Sequence, residues 1–95
     1  MLVKIVWYGK AERDLEEATS YIDARNPQAA DKIEDRIHGA IERLRDFPQS
    51  GRPGRRPGTR EVVIVDYPYV VRYRVRNNQV EILRVFHTSM QWVLR

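Results

Sequence analysis

The chain has 95 residues, 42% hydrophobic and 32% charged, the composition of a soluble globular protein too short to divide into two domains. It has no cysteine, which excludes disulfides, thiolate nucleophiles and zinc-thiolate centres, and His38 and His87 lie too far apart in sequence to suggest a metal pair, so neither metal nor cofactor is expected. Net charge is +4 but divided: residues 1–50 hold eight Lys and Arg against ten Asp and Glu, or −2, while residues 51–95 hold nine against three, or +6, a polarity suited to an acidic partner.

Val3-Lys4-Ile5-Val6-Trp7 is β-branched and aromatic and predicts a first strand, with Trp7 in the core. Ala11, Leu15, Ala18 and Ile22 then recur at steps of four and three, with Glu12, Arg13, Asp14, Glu16 and Glu17 between them, which predicts an amphipathic helix. Asn26-Pro27 ends it and opens a second: Asn is a good N-cap, and Pro at the first helical position gives up only an amide that has no partner there. Ala30, Ile33, Ile37, Ala40, Ile41 and Leu44 form the second apolar stripe, and His38 falls off it, on the solvated side.

Phe47-Pro48 stops the second helix, and residues 49–58, rich in Pro and Gly and carrying Arg52, Arg55 and Arg56, read as an exposed loop. Residues 59–65, 69–76 and 80–86 predict three strands joined by tight turns at Asp66-Tyr67-Pro68 and Asn77-Asn78-Gln79. The fold class is α+β, in the order β-α-α-β-β-β, with a helical hairpin on one face of a small, mainly antiparallel sheet in one domain over residues 1–95.

In the central strand Tyr69, Val71, Tyr73 and Val75 share one face, and Val70, Arg72, Arg74 and Arg76 share the face turned from the helices. Glu81 can pair with one arginine, but three acids cannot neutralise nine bases. This ladder, with Arg52, Arg55, Arg56 and Arg60, is therefore expected to form a cationic surface for an acidic target or partner. The competing reading is a solvated face with cross-strand ion pairs. No apolar run approaches the roughly 20 residues that span a bilayer and the N-terminus lacks a secretory pattern, so no membrane association and a cytoplasmic location are expected.

The chain resembles the RelE/ParE family, the toxins of bacterial type II toxin–antitoxin modules. The resemblance rests on Ala11-Glu12-Arg13-Asp14-Leu15, Tyr21-Ile22, Asn26-Pro27-Gln28-Ala29-Ala30, Phe47-Pro48 before Gly51-Arg52, Gly58-Thr59-Arg60-Glu61, Pro68-Tyr69-Val70-Val71, Tyr73-Arg74-Val75 and Ile82-Leu83-Arg84-Val85-Phe86-His87 before Trp92. It implies the same RelE/ParE-like fold and a cognate antitoxin that covers the helical hairpin and sheet edge in a heterotetramer or larger assembly, with operator DNA bound only through the antitoxin.

RelE-like members cut messenger RNA on the ribosome, and ParE-like members inhibit DNA gyrase without a recognised hydrolytic site. RNA cleavage needs a group to take the 2′-hydroxyl proton, one to protonate the leaving oxygen and fixed cations for the phosphate. Arginine suits only the last role, so the nuclease candidates are Arg60, Arg72 and Arg84 with His87 for proton transfer. Nuclease members place an arginine just ahead of a Leu-Val-Tyr segment in the central strand. Val70 corresponds to it here, and with Pro68-Tyr69-Val70-Val71 and the closing His87 and Trp92 this favours gyrase inhibition over messenger-RNA cleavage and leans against an enzyme. His87 fits a structural cap as well, and Trp92 is either an anchor on the sheet or an exposed contact. A plain nucleic-acid-binding module ranks last, because no base-reading motif is present.

Overall fold

The computed structural model describes residues 3–90. Its elements are β1 (Lys4–Trp7), α1 (Gly9–Asp23), α2 (Pro27–Glu42), a 3-10 turn (Arg43–Arg45), β2 (Arg52–Pro53), β3 (Arg60–Val63), β4 (Tyr69–Arg76), β5 (Gln79–His87) and a closing 3-10 turn (Thr88–Met90). The five strands lie in the order β1-β5-β4-β3-β2. The pairings β2–β3, β3–β4 and β4–β5 are antiparallel, and β1 joins β5 in parallel, a pairing made possible by the long connection between them through both helices and the other three strands. The strand at Arg52–Pro53 corrects the expectation of a plain loop: only two residues pair, too few to leave a period in the sequence.

Local chemistry explains the joints. The Asn26 side chain accepts from the Ala29 amide at 3.1 Å and Pro27 opens α2, a cap that contributes about 1 kcal/mol. Asn77 and Asn78 both adopt positive φ, which a two-residue hairpin turn between β4 and β5 requires and Asn tolerates. Beneath the helices, Ile33, Ile37, Ile41 and Leu44 of the α2 region and Ala11 and Leu15 of α1 pack on Val71, Tyr73, Val80, Ile82 and Val85. Trp7 is half-buried against this core rather than inside it, its ring 5.6 Å from that of exposed His38.

One irregularity positions the site. Arg72 lies opposite Arg84, but Tyr73 lies opposite Ile82, so Leu83 is an extra residue on β5. The core alternation Val80, Ile82 therefore resumes at Val85. At the other joint, the buried Tyr73 hydroxyl accepts from the Gly51 amide and donates to the Pro48 carbonyl, both at 2.8 Å, tying the segment before β2 to the sheet.

Candidate functional site

The arginines of the expected cationic ladder are each held in an ion pair, and its first rung, Arg72, is buried. Arg72 is 3% exposed and Glu61 4%. Glu61 on β3 faces Arg72 on β4 and Arg52 on β2, accepting from Arg72 at 3.2 Å and from Arg52 at 3.1 Å. Arg74 and Arg76 both pair with Glu81, and the Tyr8 hydroxyl donates to the same carboxylate while accepting from Arg74 at 2.6 Å. The hydrogen bond from Arg74, then those from Arg76 and Tyr8, hold the Glu81 carboxyl below its usual range against the effect of burial. A single acid thus serves two arginines where the sequence suggested one.

The four nuclease candidates do not converge on one point. Arg84 turns to Asp14 of α1 at 2.7 Å, and the same carboxylate accepts the Val85 amide at 3.0 Å, closing the β5 edge that β1 leaves open. Arg60 donates to the carbonyls of Gln49 and Gly51 at 3.1 and 2.8 Å. Arg72 is committed to Glu61. His87 is exposed, with Nδ1 2.8 Å from Ser89 Oγ and accepting the Ser89 amide at 3.1 Å, and its ring meets Tyr69 edge-on at 5.5 Å. On the face where the ladder lies, Val70 is fully buried and Phe86 nearly so, with the Arg72 guanidinium 5.2 Å from the Phe86 ring.

Other candidates do face solvent. Arg55 and Arg56 are exposed in the β2–β3 loop and make no ion pair among the described residues, and Arg52 is exposed although paired. Trp92 lies outside the described residues. Sequence reasoning missed Asp14, which pairs across the two halves of the chain, and it missed Glu61. A signal for Glu61 existed, since a lone acid inside a β-branched strand of the basic half must find a cation. Among the described residues no group of three His, Cys, Asp or Glu is placed to hold a metal, and no helix is long and apolar enough to cross a membrane.

A groove of about 540 Å³ runs between α2 and the outer edge of β3. β2 covers only Arg60 and Glu61, so beyond them the β3 edge has no neighbouring strand among the described residues. Val63 and Val65, the latter 87% exposed, stand on this edge with Gly39, Ala40 and Leu44 opposite. Glu61, Arg43, Arg36 and Arg52 also line it, Arg36 paired with Asp66 and Arg52 with Glu61, both at 3.1 Å. An exposed apolar edge strand is a template for another chain unless something covers it.

Residues 5–92 match the family described as the ParE toxin of the type II toxin–antitoxin system parDE. The chain is 44% identical over 89 residues to Y4kP of Sinorhizobium fredii, covering 94% of this chain and 92% of that protein. Toxin RelE2 of Caulobacter vibrioides is 34% identical over 88 residues, covering 93% and 98%. Among solved structures, a chain of the chromosomal ParDE system from P. aeruginosa superposes with a TM-score of 0.81 at 25% identity, covering 90% of this chain and 96% of that one. The chain therefore belongs to the RelE/ParE family of type II toxins.

Proposed function

We propose that this toxin inhibits DNA gyrase in the cytoplasm without a hydrolytic site, and that an antitoxin segment seated in the α2–β3 groove neutralises it. The observation that carries the reading is the state of the sheet face turned from the helices. RNA cleavage needs free cations converging on a phosphate and a proton-transfer group beside them. Here Val70 and Phe86 are buried, Glu61 neutralises Arg72, and Arg60, Arg84 and His87 are each bonded elsewhere. Membership of the family named for ParE supports gyrase as the target.

The superposed P. aeruginosa chain comes from a toxin–antitoxin system. The open β3 edge and the apolar groove suit an extended segment with alternating apolar side chains, and Arg43 on its lining, which makes no ion pair among the described residues, favours an acidic residue on that segment. The test is a paired assay of the purified toxin on gyrase supercoiling and on messenger RNA in programmed ribosomes. Blocked supercoiling with intact RNA is expected; cleaved RNA with normal supercoiling would overturn the proposal.

A further inference from the structure

The strand pairings bring β1, β3 and β5 to start, and β2 and β4 to finish, at one end of the sheet. Lys4 lies there opposite Gln79, which in turn lies opposite Arg76. The Asn77-Asn78 turn follows, and the β2–β3 loop adds Arg55 and Arg56. All six of these cations and amides other than Gln79 are exposed. Across four strand spacings of about 4.8 Å the rim is about 19 Å long.

The loop is a braced presenter of its arginines. The Gly54 amide donates to the Thr59 carbonyl at 2.8 Å, and the Thr59 hydroxyl and amide both donate to the Arg56 carbonyl, at 2.6 and 3.2 Å. A side chain at Gly54 would collide with Thr59, and Gly58 takes a positive φ. Lys4, Arg55 and Arg56 make no ion pair among the described residues, while Arg76 shares Glu81 with Arg74.

We propose that this rim binds the phosphate backbone of duplex DNA, so that the toxin holds the duplex on which gyrase acts; its setting rests on the gyrase reading, but the contact itself does not. A row of cations and amides without an apolar centre suits sugar-phosphate better than a protein surface. Of the exposed large apolar side chains, Tyr21 lies on α1, Val63 ends β3 and Val65 follows it, while Phe47 stands two residues after Arg45, whose carbonyl accepts the Val3 amide next to the rim. Single strands are held by exposed aromatic rings on which bases stack. The rim residues themselves offer none: the Tyr8 ring is half-buried, with the Arg74 guanidinium 5.6 Å from its centroid, and the single ring of Phe47 nearby is no platform for successive bases.

The experiment is fluorescence anisotropy of the purified toxin with a labelled 20-base-pair duplex of arbitrary sequence, without gyrase, over a range of salt. Four phosphate contacts give a slope of log affinity against log salt of about −3.6, and Arg55→Gln with Arg56→Gln should bring it to about −1.8 with a loss of about tenfold or more at low salt. Circular dichroism of the double variant should match that of the parent. Absence of duplex binding at low salt, an unchanged slope in the double variant, or tighter binding of single-stranded RNA or poly-glutamate would overturn the proposal. Duplex binding that persists while supercoiling is unaffected would reject gyrase as the target and leave this contact standing.

Discussion

Replacing Glu61 by Gln tests whether the arginine ladder is part of the fold or a free surface. The substitution keeps the shape and removes the charge that faces Arg72 and Arg52. Breaking a buried ion pair from one side costs about 3–5 kcal/mol, because Arg72 has given up its water on burial and loses the Glu61 charge that offsets that loss. The low end, about 3 kcal/mol, applies here, since the amide retains an acceptor oxygen and the Arg52 side chain is 52% exposed. In a domain of this size that is a fall of about 12–24 °C in Tm, large against a total stability of about 5–15 kcal/mol. Arg52→Gln removes only the solvent-facing partner and should cost about 0.5 kcal/mol. Urea denaturation followed by circular dichroism reads both. A Glu61→Gln midpoint no further displaced than that of Arg52→Gln would refute the argument and return the ladder to solvent.

Tyr73→Phe strips two hydrogen bonds from the segment before β2 and should cost about 2 kcal/mol, read as a fall of about 10 °C in Tm; an unchanged Tm would show that this tie carries no stability. The folded pKa of Glu81 lies below its unfolded value near 4.3, so its contribution is complete above that value and is lost as pH falls through the folded one. Stability measured from pH 6 to pH 3 should therefore fall less steeply in Glu81→Gln, and an identical acid limb in the variant would remove Glu81 from the account. Val65→Glu should leave stability within about 0.5 kcal/mol, because the side chain is 87% exposed, yet weaken antitoxin binding by about tenfold or more. Titration calorimetry with the cognate antitoxin reads the second effect, and unchanged affinity would move the antitoxin off this edge.

The helices and long strands were legible because their apolar spacing is uninterrupted. The Ala11-Leu15 and Ile33-Ile37-Ile41 stripes have the helical period, and β4 alternates apolar residue and arginine from Val71 to Arg76. Two features escaped for physical reasons. β2 is two residues long, and the shift at Leu83 moves the core alternation of β5 by one place without a glycine or proline to mark it. The charge of the ladder was counted within one half of the chain, whereas Arg84 takes its acid from α1 and Glu61 and Glu81 each serve two arginines. Ion pairing follows proximity in space, which a tally along the sequence cannot register. Of the arginines the sequence placed in an exposed loop, Arg55 and Arg56 stand there, while Arg52 is exposed but belongs to β2.

The most direct measurement is inhibition of purified gyrase supercoiling by the parent toxin and by His87→Gln, run beside messenger-RNA cleavage on programmed ribosomes. His87 bonds only within its own turn and against Tyr69 among the described residues, so both proteins should block supercoiling at concentrations within about twofold and leave RNA intact. RNA cut by the parent, spared by His87→Gln, with supercoiling untouched by either, would contradict the account and make His87 the proton-transfer group of a nuclease.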